Sequence, residues 1–147
     1  VRDVIQSIEA KDCEEICCVY ACTPLLQKRR LLEGLDLLKT NPESYIFAAQ
    51  LSPVNPWRTF NLIREKVSFV SHEALDIPTQ NHVRYFLDAG QFYWAKSSTW
   101  RTKDRILSDD SVPVLLNKWE TIDIDEVEDL EIALALKRAR EQKSNNE

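Results

Sequence analysis

The sequence predicts an α/β domain with a largely parallel sheet, and three observations carry that expectation. Two short apolar runs, residues 16–20 and 45–50, have the length and composition of buried strands. Leucines at 25, 26, 31, 32, 35, 37 and 38 lie between them at helical spacing. The resulting order, helix, buried strand, helix, buried strand, is one that packs helices on a sheet. At 147 residues the chain has the length of one domain. Residues 1–143 read as a single domain without repeats, low-complexity linker or second-domain boundary, and 144–147 as a frayed tail.

The elements follow in order. Val1, Val4, Ile5 and Ile8 share one face of a first helix that ends near Ala10, and a polar link covers 11–15. Thr23 and Pro24 signal a turn or helix start after the first strand. The leucine helix spans 25–40, with Lys28, Arg29 and Arg30 on its wet side, and Asn41-Pro42 breaks it. Segments 57–63 and 67–70 form a hairpin around Arg64, Glu65 and Lys66, and a polar loop covers 71–84. Residues 85–94 are aromatic-rich and extended, interrupted by Gly90, and short strands follow at 112–116 and 121–124. The closing helix starts at Asp125 as N-cap, with Glu126, Glu128 and Asp129 in its first turn. Lys137, Arg138, Arg140 and Lys143 complement the dipole at its far end, and Val127, Leu130, Ile132, Leu134 and Leu136 supply apolar surface.

Composition narrows the function. An apolar share of 44% and a charged share of 29% are those of a soluble globular protein that can build a core without disulfides. The net charge of −5, with both signs mixed along the chain, argues against a nucleic-acid partner; a small anionic substrate would need only a locally positive pocket. No apolar run is long enough to span a bilayer and no signal peptide opens the chain, so no membrane partner and a cytoplasmic location are expected. Cys13, Cys17, Cys18 and Cys22 contain no CxxC spacing and read as small buried hydrophobes rather than a metal cluster. The chain lacks methionine even at position 1, so Val1 is expected to be an internal, alternative or processed start.

Chemistry concentrates in two segments. In Ile122, Asp123, Ile124 and Asp125, a strand would put Asp123 and Asp125 on one face, as two carboxylates able to hold Mg²⁺ with substrate phosphates and water. Such a pair at a strand end would sit at the ligand crevice of an open α/β sheet. The competing reading leaves Asp125 as a helix cap and Asp123 solvated. DAGQFYW, residues 88–94, with Gln80 and Asn81 ahead of it, could line a sugar pocket, its aromatic faces on the sugar and Asp88 and Gln91 on its hydroxyl and acylamino groups. The competing reading is a core strand with aromatics in the interior, in which Gly90 permits a bulge. Thr23 could touch a ligand or cap a helix, Arg58 is a candidate anion partner, and His72 and His82 read as surface residues.

Taken together, ICCVYACTPLL (16–26), Phe47-Ala48-Ala49, PTQNHVRYFLDAGQFYW (78–94) and ETIDIDEVEDLEIA (120–133) resemble the acylneuraminate cytidylyltransferase family, in the family's order and over nearly the whole chain. The DAGQFYW form is similar to its pseudaminic acid branch. The resemblance implies a Rossmann-like nucleotide-diphospho-sugar transferase fold. It also implies attack of a sugar's anomeric hydroxyl on the α-phosphate of CTP, giving a CMP-sugar and pyrophosphate for surface glycan or flagellin glycosylation. The family's catalytic, metal-binding aspartates fall on Asp123 and Asp125, with Mg²⁺ as cofactor, and its sugar-contacting region on Gln80, Asp88, Gln91 and Tyr93. CTP, an acidic nine-carbon sugar and a second copy in a homodimer are the implied partners, with 53–84 as the dimer surface. The glycine-rich nucleotide loop of the family has no counterpart, since the only glycines are Gly34 and Gly90; the chain is therefore expected to be the C-terminal part of such a domain. His82-Val83 and Cys22 also depart from the family pattern. The alternatives are a truncated, inactive chain that serves as a dimerisation or binding module, and a related sugar, N-acetylneuraminate or legionaminate.

Overall fold

The computed structural model describes residues 1–7 and 14–144. In chain order the elements are α1 (Arg2–Ser7), β1 (Glu15–Val19), α2 (Lys28–Thr40), β2 (Ile46–Leu51), β3 (Phe60–Ile63), β4 (Lys66–Phe69), α3 (Glu73–Asp76), β5 (Phe86–Lys96), α4 (Ser97–Thr102), β6 (Val112–Leu116) and α5 (Val127–Ser144). The chain divides into two compact units, Val1–Gln50 with Asp88–Glu147, and Leu51–Leu87. Ile8, the link residues 11–13 with Cys13, and the tail beyond Ser144 lie outside the described residues.

The first unit is built on a four-stranded sheet of order β1-β5-β2-β6. β1 pairs antiparallel with β5, from Glu15 opposite Lys96 to Val19 opposite Phe92, and β2 pairs parallel with β6, from Ile46 opposite Val112 to Gln50 opposite Leu116. The sheet is mixed, so the largely parallel arrangement expected from the sequence does not form. The aromatic-rich segment is the cause. It makes an eleven-residue strand, β5, that lies between β1 and β2 and separates the two runs whose alternation with helices suggested parallel neighbours.

Side chains alternate across the strands and fill two clusters. Leu38, Ile46, Ala48, Phe92, Val114 and Leu116 form one, with Cys17, Leu31, Leu37 and Trp94 packed against it. Ile5, Tyr45, Tyr93, Ala95 and Trp100 form the other, with Ile16, Cys18 and Phe47 at its margin. Apolar residues on both sides of β1 and β2 explain why these runs read as unbroken hydrophobic stretches. α2 seals the first cluster at unusually short range, because Gly34 is buried under Trp94; a Cβ there would lie 2.8 Å from the indole Cδ1 and 3.1 Å from Phe92 Cε2. On the other side Tyr45 and Trp100 meet edge to face with ring centroids 4.8 Å apart.

Two expectations fail at the end of this unit. Residues 121–124 form no strand; the segment is tied to β5 by side chains instead of a ladder, Gln91 Nε2 donating to the Glu120 carbonyl at 2.6 Å and Thr121 Oγ1 to the Ala89 carbonyl at 3.4 Å. Asp125 is not seen capping α5; instead Asp129, in the first turn, reaches back, its Oδ2 accepting from the N–H groups of Asp125 and Glu126 at 3.2 and 3.0 Å. Inward-facing positions of α5 are Asp129, Ala133, Leu136 and Arg140, whereas Val127, Leu130, Ile132 and Leu134 are exposed. The leucine helix likewise begins at Lys28, three residues later than its periodicity suggested.

The second unit carries the expected hairpin. β3 and β4 pair antiparallel from Phe60 opposite Phe69 to Ile63 opposite Lys66. The connecting Arg64 and Glu65 both have positive φ, 50° and 63°, as a two-residue hairpin turn of the primed type requires. The stretch read as a polar loop contains α3, whose Ala74 N–H is met by Ser71 Oγ at 3.2 Å, and a 3₁₀ turn at Thr79–Asn81. A second 3₁₀ turn, Pro56–Arg58, is capped by Asn55 Oδ1 on the Trp57 N–H at 2.9 Å.

Candidate functional site

The centre of the site is a carboxylate that the sequence did not single out. Glu120 is buried, 5% exposed, and its carboxylate gathers four sets of donors. Arg30 Nη2 lies 2.7 Å from Oε2 and Arg30 Nε 3.1 Å from the same atom; Gln27 Nε2 donates to Oε1 at 2.9 Å; the Asn117 N–H donates to Oε2 at 2.8 Å; and the Arg29 guanidinium also contacts Oε1. Burial by itself would raise the Glu120 pKa. The hydrogen bond from Arg30, the Asn117 N–H and the charges of Arg30 and Arg29 outweigh it and hold the carboxyl below its ordinary range. The same pairing raises Arg30, chiefly through its hydrogen bond to Glu120. Only the position of Glu120, just ahead of Asp123, signalled it in the sequence, because its side-chain partners Gln27, Arg29 and Arg30 lie about ninety residues away.

Around this node the structure brings several predicted residues together. Gln91 is buried and donates to the Glu120 carbonyl, which ties DAGQFYW directly to the segment bearing Asp123 and Asp125. Asp88 is exposed and folds over its own strand; Oδ1 accepts from the Gly90 N–H at 3.0 Å and Oδ2 from the Tyr93 hydroxyl at 2.6 Å. Gly90 makes this turn possible with φ +59°. Tyr93 is buried against Tyr20, their ring centroids 5.2 Å apart, and its hydroxyl is driven well above its usual pKa by burial and then by the Asp88 carboxylate. Thr23 is half-buried and spends its hydroxyl on the Tyr20 carbonyl at 3.0 Å.

Asp123 and Asp125 are both exposed, and among the described residues neither carboxylate has a hydrogen-bond or ion-pair partner. With no strand at 121–124, strand alternation does not put them on one face, and among the described residues no group of three or more His, Cys, Asp or Glu side chains is placed to hold a metal ion; two carboxylates are the kind of oxygen donor Mg²⁺ takes beside water and substrate ligands. Arg58 and Gln80 lie in the second unit, where both are exposed. His72 is exposed beside Phe69, and His82 is half-buried with Nε2 3.1 Å from the Ile77 carbonyl. Of the cysteines, Cys17 and Cys18 pack against the two core clusters and Cys22 is exposed. Burial, with a smaller contribution from Cys18, pushes the Cys17 thiol up to about 12.

A cleft of about 590 Å³ opens beside Glu120, lined by Gln27, Arg29, Lys118, Trp119 and Arg140 among others. Arg140 Nη1 holds the Leu25 carbonyl at 3.0 Å, and the Lys118 ammonium sits 4.7 Å from the centre of the Trp119 ring. Arg29, Lys118 and Arg140 line the cleft together with the Glu120 carboxylate, which Arg29 contacts.

The class of protein that this chain resembles is the cytidylyltransferases. In particular, it is similar to two proteins from different strains of Campylobacter jejuni, each named pseudaminic acid cytidylyltransferase, with 28% identity over 139 residues. Those alignments cover 92% of this chain and 60% of each relative, so the chain spans about three fifths of their length. A third relative, from Helicobacter pylori, is named pseudaminic acid cytidylyltransferase and UDP-2,4-diacetamido-2,4,6-trideoxy-beta-L-altropyranose hydrolase; it is 28% identical over 121 residues, 82% of this chain and 23% of the relative. No protein-family model matches the chain. Among the described residues, no helix is long and apolar enough to cross a membrane.

Proposed function

We propose that this chain is part of a cytidylyltransferase that transfers CMP from CTP to a nonulosonic acid, with pseudaminic acid as the sugar, in a nucleotide-binding fold of the Rossmann-like kind. The observation that carries the reading is similarity over 92% of the chain to two proteins bearing that activity in their name. Two structural facts support it. DAGQFYW and the Asp123–Asp125 segment are joined through Gln91 and Glu120, and a cleft opens beside that junction. Arg29, Lys118 and Arg140 would hold the negative groups of nucleotide or sugar, with the exposed Trp119 ring beside them as a stacking surface. Within the first unit, Asp88, Gln91, Thr23 and Tyr93 are the candidate sugar contacts, and Arg58 and Gln80, on the second unit, stand as candidates from the resemblance alone. Asp123 and Asp125 would hold Mg²⁺, which when bound neutralises charge on the triphosphate. Direct displacement at the α-phosphate needs no covalent nucleophile on the protein.

The homodimer belongs to the same proposal. On the hairpin of the second unit, Leu62 is 70% exposed, Ile63 59% and Val67 56%, an apolar surface suited to a second copy. Sedimentation of a purely monomeric folded protein would remove the dimer. The catalytic reading is tested by incubating the protein with CTP, Mg²⁺ and a panel of nonulosonic acids and weighing the products by mass spectrometry. A CMP-sugar formed with pseudaminic acid and lost in Asp123→Ala is the expected result. Preference for N-acetylneuraminate or legionaminate would change the substrate, and release of no pyrophosphate by the full-length protein with any of these sugars would overturn the activity.

A further inference from the structure

We propose that Glu120 is a positioning residue that fixes the segment bearing Asp123 and Asp125 for metal binding; this rests on the cytidylyltransferase reading above. The segment 121–125 has no ladder of its own, so without tethers the two aspartates would sit on a free loop. Glu120 supplies tethers in two directions. Its carboxylate is gripped from α2 by Arg30 and from the preceding turn by Gln27, and its carbonyl is gripped from β5 by Gln91. The Asn117 N–H closes the same carboxylate onto its own loop. One residue thus locks three separate stretches of chain three positions before the first aspartate, and Thr121 adds a bond to the Ala89 carbonyl immediately after it. A buried carboxylate with this many charged and amide donors is far more than a loop needs for solubility, and removing it leaves Arg30 without its buried counter-charge. Outer residues that orient metal-binding groups change metal affinity or activity by about 10–100-fold when substituted.

The experiment reads Mn²⁺ as a paramagnetic substitute for Mg²⁺, titrated by electron paramagnetic resonance into the full-length protein, with CD melting run on every variant. In Glu120→Gln the shape is kept and the ion pairs are lost; a folded variant that binds Mn²⁺ about tenfold more weakly, with kcat reduced, is the expected result. Glu120→Asp should recover part of the affinity. Should Glu120→Gln not fold, Arg30→Lys keeps the charge but loses the two-pronged geometry, and weaker Mn²⁺ binding is expected there too. Wild-type affinity in a folded Glu120→Gln, or in Arg30→Lys, overturns the positioning role. Asp123→Asn separates the two levels: if it binds Mn²⁺ as tightly as the wild type, the metal assignment falls and the positioning role with it, whereas loss in Asp123→Asn and none in Glu120→Gln sinks the positioning role alone.

Discussion

Gly34 sits in the middle of a helix, where glycine ordinarily costs about 1 kcal/mol relative to alanine. Its retention has a local cause, since Trp94 and Phe92 press against the position where a methyl would be. The first contact falls on the indole Cδ1, close to the ring's attachment, so the clash cannot be relieved by swinging a flexible tip aside. Gly34→Ala is therefore expected to destabilise the fold by about 1–3 kcal/mol despite the gain in helix propensity, seen as a lower midpoint in thermal or urea unfolding. A midpoint equal to or above wild type would show that Trp94 repacks freely. Neither this contact nor the Glu120 cluster could be read from the sequence. A glycine within a leucine repeat and a glutamate before an aspartate carry no mark of what lies some sixty or ninety residues away. Gly90, by contrast, was legible as a position of special backbone, because glycine within a strand pattern marks a bulge or a close approach, and it adopts positive φ.

Elements were predicted best where periodicity alone decides them. The apolar runs of β1 and β2, the leucine helix and the closing helix are all present, with ends shifted by a few residues. The short α4 was missed because Ser97–Thr102 carries no repeating apolar pattern; it is held by Trp100 in the core. Residues 121–124 misled because Ile122 and Ile124 alternate with polar residues as a strand would, while the segment is tied to β5 by side chains. The hairpin turn offers an element-level test. Arg64 and Glu65 occupy left-handed backbone that costs ordinary residues about 1 kcal/mol or more each. Replacing the pair by Asn-Gly should stabilise the β3–β4 hairpin and slow amide exchange along it. Unchanged or faster exchange would mean that the turn in solution is of another kind.

On the scale of the whole molecule, Glu120 is a buried carboxyl held below its ordinary range, alongside the exposed Glu73 and Asp110. Glu120 has a folded pKa below its unfolded value, so its contribution is present above about pH 4 and is lost as pH falls through the folded pKa. The fall in melting temperature between neutral pH and pH 3 should therefore be smaller in Glu120→Gln than in the wild type, although the variant melts lower at neutral pH. Parallel curves for the two proteins would assign the acid sensitivity to other carboxylates. The tryptophans divide the same molecule in another way. Trp100 is 3% exposed and Trp94 is pinned over Gly34, whereas Trp57 and Trp119 are 49% and 59% exposed. The indole ring that closes over Gly34 is thus one of a shielded pair, and the protein's intrinsic fluorescence is a sum of two populations. A collisional quencher dissolved in water reaches Trp57 and Trp119 while the folded core hides the others, so the unquenched remainder of the emission tracks the integrity of the sheet, and the quenched part reports on the cleft wall at Trp119 and the turn at Trp57.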